Sequence, residues 1–206
     1  MDSIDDLARA LAKLPGIGPR QGKRFVYYLL AAPASERSQL ANLINTLGAN
    51  VRQCPECLRF YTGATALICK YCSDTKRDDT QLMLVEKDQD LAAIERAGTY
   101  KGRYFVLGGV LTLSGKGAIR EKELVRTIER RLAPSEGRLA SLKEVVLALS
   151  ATSEGEHTAD YVRQLLAPYR DQLKISTLGR GLATGSELEY SDAETLRAAL
   201  SNRKES

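Results

Sequence analysis

Residues 82–113 read LMLVEKDQDLAAIERAGTYKGRYFVLGGVLTL, and this stretch decides the fold. Its first apolar run, Leu82 to Val85, is short and unbroken, as a strand covered on both faces should be. Asp90 to Ala97 switches to helical spacing, and Tyr104 to Leu113 returns to strand composition. The alternation continues with a helix from Glu121 to Leu132, a strand from Val145 to Leu149, a helix from His157 to Leu166 and an apolar run from Leu173 to Leu178. In the Glu121 helix, Leu124, Val125, Ile128 and Leu132 make one stripe, which turns Glu121, Arg126 and Arg130 outward. Strands alternating with helices predict an α/β domain built on a mostly parallel sheet flanked by helices.

Upstream, periodicity vanishes between Cys54 and Asp78, where all four cysteines of the chain lie. They form two C-x-x-C pairs, Cys54-Pro55-Glu56-Cys57 and Cys69-Lys70-Tyr71-Cys72, separated by eleven residues. Each pair can present two thiolates from one turn, and four sulfurs at about 2.3 Å around a tetrahedral ion suit structural zinc. No fifth ligand remains for a catalytic zinc. One structural Zn²⁺ is therefore preferred, an iron–sulfur cluster comes second and a disulfide pair last.

Further upstream the chain is helical. Ser3 is expected to cap a first helix with Ile4, Leu7, Ala8 and Leu11 on one face, ended by Leu14-Pro15-Gly16. Pro19 suits the opening of a second helix that runs to about Ala32. Ser35 opens a third, with Leu40, Leu43, Ile44, Leu47 and Val51 on one face. Between the first two helices, Gly16 and Gly18 leave the backbone open to close approach, so the N–H groups of the second helix can meet a phosphate oxygen. Arg20, Lys23 and Arg24 follow on its first turns, and contacts of this kind reach the nucleic-acid backbone without reading sequence. The competing reading is a tight αα-hairpin whose bases are merely solvated.

The chain has 206 residues, 43 % hydrophobic and 27 % charged, enough for one ordinary core with a small appended module. No stretch approaches the roughly 18 uninterrupted apolar residues of a membrane span. The acidic opening Met1-Asp2-Ser3-Ile4-Asp5-Asp6 lacks a secretory pattern, so a reducing cytoplasm is the expected compartment. The net charge of +4 is too small to imply a polyanion, but residues 1–53 carry seven bases against four acids, and no acid lies between Asp6 and Glu36. Gly179 to Gly185 lacks the G-K-[ST] of a phosphate loop and reads as a turn after a strand. Ser191 and Glu194 suggest a capping box for a helix at Thr195 to Ser201, with a fraying tail from Asn202. His157 is the only histidine and no nucleophile has an evident base, so triad chemistry has no support. Tyr27 and Tyr28 read as core and surface neighbours on a helix, with base stacking by one of them as the second reading.

The Leu14–Arg24 segment has the form of a helix-hairpin-helix, and with the cysteine module it resembles the RecR family of bacterial recombination mediators. The resemblance extends through Lys76-Arg77-Asp78-Asp79, Val85-Glu86, Ile94-Glu95-Arg96, Lys101-Gly102-Arg103-Tyr104, Val106 to Leu111 and Glu154-Gly155-Glu156 to Leu188-Glu189-Tyr190-Ser191-Asp192 and Thr195-Leu196. It implies four parts: a DNA-binding helix-hairpin-helix domain (1–53), a four-cysteine zinc finger (54–78), a Toprim domain (79–170) and a C-terminal strand and helix segment (171–206). In Toprim enzymes a glutamate and a D-x-D-x-E cluster hold magnesium. Here the glutamate maps to Glu86 and the last acid to Glu154, but the aspartate places hold Ser150 and Thr152, and the family's usual Asn is also absent. The resemblance thus implies a non-enzymatic DNA-binding protein. It implies a ring-shaped homotetramer that works with RecO-like and RecF-like partners to load RecA on single-stranded gaps, with Glu86 and Glu154 as partner contacts or as plain capping carboxylates. In the Gly179–Gly185 region Ala183-Thr184 and Ser186-Glu187 depart from the family's Pro-Val and Gly-Asp. Two alternatives are a metal-dependent Toprim DNA-processing enzyme and a zinc adaptor that binds only proteins.

Overall fold

A computed structural model describes residues 2–63, 66–114, 117–133 and 142–203. The chain divides into two compact units, residues 1–52 and 53–206. In the first, α1 (Ser3–Leu11) and α2 (Pro19–Ala31) pack as a hairpin, followed by α3 (Ala34–Asn50). The α1 cap is Asp2, one residue before the expected Ser3: its carboxylate accepts from Ile4 N–H at 3.0 Å. Two helices this close need a gap in one surface. Gly22 supplies it, because a Cβ there would stand 2.6 Å from the Ala8 carbonyl oxygen. Arg37 of α3 donates to the Leu29 and Ala32 carbonyls and so closes the C-terminal end of α2.

The second unit, into which β1 (Val51–Gln53) leads from the first, holds β2 (Phe60–Thr62), paired with β1 as a two-stranded sheet, and the short α4 (Lys70–Ser73). Its main sheet is wholly parallel, with β3 (Asp78–Val85), β4 (Gly102–Val106), β5 (Glu144–Ala148) and β6 (Lys174–Thr177) in the order β4-β3-β5-β6. Between them lie α5 (Asp88–Ala97), α6 (Glu121–Leu132) and α7 (Ser153–Leu165), and α8 (Ala193–Ser201) closes the chain. The period of two divides the sheet cleanly. Leu82, Leu84, Phe105, Val145 and Leu147 join Leu124 and Ile128 of α6 and Ala159 and Val162 of α7 on one face. Met83, Val85, Tyr104, Val106 and Ala148 join Leu91 of α5 on the other, with Tyr71 packed against them.

Several boundaries differ from expectation: β3 begins at Asp78, four residues before the run Leu82 to Val85, α5 begins at Asp88 rather than Asp90, and Val51, expected on the third helix, lies in β1. The run from Tyr104 stops as a strand at Val106, because Gly108 (φ 89°) and Gly109 (φ 159°) turn the chain away. The helix expected from His157 begins four residues earlier, capped by Thr152. The terminal helix is capped by Asp192 rather than Ser191, through hydrogen bonds from Glu194 and Thr195 N–H, both 2.9 Å. Of the expected frayed tail only Asn202 and Arg203 are among the described residues, and the Asn202 side chain donates to the Arg180 carbonyl.

Candidate nucleic-acid interface and metal centre

The hairpin turn places Gly16 at φ 78°, a left-handed conformation that glycine adopts without strain. Gly18 is different. It is the α2 cap with an ordinary φ of −82°, and a Cβ there would meet nothing within 4 Å. The backbone does not require this glycine, and among the described residues nothing occupies the space where its side chain would stand, which leaves room for something outside the chain. With no side chain at the cap and proline at the first helical position, the first-turn N–H groups of Arg20 and Gln21 keep no intrahelical partner and carry the positive end of the helix dipole.

Arg20, Lys23 and Arg24 are all exposed on this end of α2. The absence of acids between Asp6 and Glu36 does not survive folding intact, because the hairpin returns Asp5 to Lys23 at 3.0 Å. That carboxylate, by hydrogen bond and charge, raises the Lys23 ammonium above its ordinary pKa. Arg24 donates to Gln21 at 3.3 Å, and among the described residues Arg20 makes no ion pair. Lys23 is thus partly neutralised, and the arginines are the stronger phosphate donors.

In the second unit the four cysteine sulfurs lie within 4.8 Å of one another, all as free thiols. Cys57 Sγ and Cys69 Sγ are 3.6 Å apart, close to the roughly 3.8 Å edge of a tetrahedron with metal–sulfur bonds of about 2.3 Å. Cys54, Cys57 and Cys69 are buried and Cys72 is half-buried. Their mutual hydrogen bonds push the thiols apart in acidity: Cys54 is held far below the ordinary thiol range, chiefly by Cys57, while Cys57 and Cys72 are raised above it, chiefly by Cys54. Four thiolates in this space therefore need a cation. The donor set and spacing fit one tetrahedral metal ion.

The surrounding structure holds this cluster to the sheet. Arg103 of β4 donates to the carbonyls of Tyr71 and Cys72 at 3.0 and 3.1 Å and pairs with Asp79 at 2.8 Å. The Val106 N–H donates to the Cys57 carbonyl at 2.8 Å, so the first cysteine turn covers part of the β4 edge. Arg120 spans the Leu58 and Val106 carbonyls at 2.8 and 2.9 Å. Tyr71 meets the ring of Tyr104 edge-on at 6.2 Å.

At the C-terminal ends of β3 and β5, where strand order reverses and doubly wound sheets place their sites, stand Glu86 and the segment Ser150-Ala151-Thr152. Glu86 is 5 % exposed, and its carboxylate accepts the Ser150 N–H at 2.6 Å. Thr152 Oγ1 accepts from Gly155 N–H at 3.1 Å. A Cβ on Gly155 would fall 2.0 Å from the Ser150 carbonyl oxygen, so the tight loop depends on that glycine. Glu154 and His157 are exposed on the first turns of α7. The residues do not fit a magnesium seat: Glu86 is engaged with the backbone, and the two intervening places offer hydroxyls. The structure thus brings Glu86 to the Ser150 loop and leaves Glu154 facing solvent. Sequence reasoning passed over Arg103 and Arg120, whose guanidinium-to-carbonyl contacts leave no mark in periodicity.

The comparisons with known proteins agree with this geometry. A RecR helix-hairpin-helix model matches residues 4–47, a Toprim domain model residues 80–179 and a RecR C-terminal model residues 181–204. The recombination protein RecR of Thermobifida fusca is 38 % identical over 205 residues, covering 98 % of this chain and 96 % of the relative. Those of Ruegeria pomeroyi and Ruegeria sp. strain TM1040 are 38 % and 39 % identical, again over 98 % of this chain and 96 % of the relative. A helix-hairpin-helix, a four-cysteine cluster and a Toprim fold thus occur in one chain with full-length relatives, and the chain belongs to the RecR family of recombination proteins, with a role in recombinational DNA repair.

Proposed function

We propose that the protein is a non-catalytic, sequence-independent DNA-binding mediator that acts in the cytoplasm as a ring-shaped clamp of four copies. With RecO-like and RecF-like partners it helps load the RecA recombinase on single-stranded gaps. The observation that carries this reading is the α2 N-terminus: an unneeded glycine at Gly18 with open space around it, unpartnered first-turn N–H groups, and Arg20, Lys23 and Arg24 beside them. Gly16 sets the turn that exposes them. Each phosphate contact is weak, and closure of copies around or along DNA makes many contacts simultaneous.

One structural Zn²⁺ on Cys54, Cys57, Cys69 and Cys72 completes the cysteine module, whose own core is small. Exposed Glu154 is the partner-facing acid of the Toprim fold, while Glu86, the other acid of this pair, is buried and holds the Ser150 loop. The absence of catalysis is supported by the neutral side chains at Ser150 and Thr152 and by the engagement of Glu86 with Ser150. Association of copies is supported by an apolar groove of about 400 Å³ in the N-terminal unit, lined among others by Leu7, Leu11, Val26, Leu29, Leu40 and Ile44.

The test is a native gel of labelled gapped DNA with concentrated protein at low salt and magnesium, half of each sample being deproteinised before loading. Retarded DNA recovered intact is the expected result. Replacing Arg20, Lys23 and Arg24 together by Ala should weaken binding to every sequence and reduce the salt slope by about 0.7–0.9 per lost contact. Cut or joined DNA would establish an active site in the Toprim fold. An unchanged salt slope would remove the hairpin from the interface.

A further inference from the structure

The face of α2 that carries the cations does not end with them. Arg20, Lys23, Arg24 and Tyr27 fall within about 100° of arc on the helix, opposite Gly22 and Leu29. Tyr27 is 56 % exposed, which corrects its reading as half of a core-and-surface pair; Tyr28, 62 % exposed, lies to one side and donates to Glu36 at 3.1 Å. Tyr27 stands close enough to Lys23 to add to the electrostatic pull on that ammonium. From Arg20 to Tyr27 the helix rises about 10.5 Å. A strand whose phosphate sits at the α2 N-terminus therefore runs toward an aromatic ring along a row of positive charge. Of the α2 residues that line the apolar groove, Val26 and Leu29 are on other faces, while Leu30 lies about 20° beyond Lys23 at the edge of this row.

We infer that Tyr27 is a base-stacking site, which makes the α2 face a single-strand reader and not only a holder of backbone. Single-stranded DNA is the occupant that the chemistry selects. Its bases expose π-faces that a ring can stack on whatever the sequence, whereas paired bases in a duplex are stacked on one another and offer only phosphates here. The inference rests on the proposed phosphate site at the start of α2, and the experiment separates the two.

The chain has no tryptophan, so tyrosine emission can be followed directly. Full-length protein would be titrated with a short oligodeoxythymidylate and with a duplex of equal length at low salt, using wild type, Tyr27→Leu, Tyr27→Phe and Arg24→Ala. Tyr27→Leu should weaken single-strand binding about tenfold and abolish the larger part of the emission quenching, while duplex binding stays within about twofold. Tyr27→Phe should restore single-strand affinity. Arg24→Ala should weaken both ligands. Equal loss on both ligands, or no loss, with Tyr27→Leu overturns the stacking site while leaving the phosphate site standing. No effect of Arg24→Ala on either ligand, or no DNA binding by wild type, overturns the phosphate site and the stacking site with it. Since Tyr27 is exposed, an unchanged thermal midpoint for Tyr27→Leu is the expected control.

Discussion

At Glu86 a carboxylate that the fold could use for metal is spent on the backbone. Its acceptor bond from Ser150 N–H, 2.6 Å long and made by a side chain only 5 % exposed, ties the end of β3 to the loop after β5. A charged acceptor on a backbone N–H is among the stronger hydrogen bonds in a protein. Glu86→Ala leaves that N–H unpaired beside a small void, and should destabilise the chain by about 2–3 kcal/mol in urea denaturation. Glu86→Gln keeps an acceptor oxygen and should recover more than half of the loss. An alanine variant as stable as wild type would show that the bond contributes nothing. The acid itself was legible in the sequence, but its burial was not, because that depends on a partner 64 positions away. Thr152 teaches the same lesson locally. Read as a missing aspartate, it is the cap of α7, and the signal lay in the acidic first turn with Glu154 and Glu156 rather than in any apolar period.

At the scale of elements, β3, β4 and β5 were legible from the unbroken apolar runs Leu82–Val85, Tyr104–Val106 and Val145–Ala148, whereas β6 reads Lys174-Ile175-Ser176-Thr177 and has no such run; α6 was legible because its stripe is regular, and its observed bounds, Glu121–Leu132, match the expected ones. Errors cluster at ends. Asp2 and Asp192 cap their helices in place of the serines beside them, since a carboxylate accepts more strongly than a hydroxyl and one residue of phase is invisible to periodicity. The cysteine module was legible as a motif, but not how it is held. Arg103, Arg120 and the Val106 N–H bind its carbonyls, so the module depends on the sheet for position and on metal for internal structure. Removing the ion with a strong chelator should release one zinc per chain, visible by native mass spectrometry, and turn four unreactive thiols into four reactive ones. The sheet should survive, because its two cores are filled by residues outside the module apart from Leu58 and Tyr71 at their margins. Thiols that react equally before and after chelation would rule out a metal-closed cluster.

At the scale of the whole molecule, the near-neutral total charge and the uncovered helices have to be reconciled with a DNA-binding role. A single copy offers one small cationic row, and a net charge of +4 gives little long-range attraction. Affinity then has to come from number. The stripe on α3 was legible in sequence, and the structure leaves Leu40, Leu43, Ile44 and Leu47 each more than 40 % exposed, with no buried residue in the helix. What covers such a stripe cannot be read from one chain's periodicity, since periodicity marks an apolar face without naming its partner. In the proposed ring another copy covers it. Leu40→Glu with Ile44→Glu should therefore reduce the mass measured by light scattering from four copies toward fewer, while far-ultraviolet dichroism is retained, because neither side chain is buried within the chain. DNA affinity should fall about a hundredfold or more as contacts cease to be simultaneous. Replacing Arg20 and Arg24 by Ala should do the reverse, lowering affinity at constant mass. Loss of DNA binding with the mass unchanged in the α3 variant would place the stripe on the DNA or a partner protein instead. Full binding by dissociated chains would mean that each copy holds DNA alone, and that the ring serves some other step.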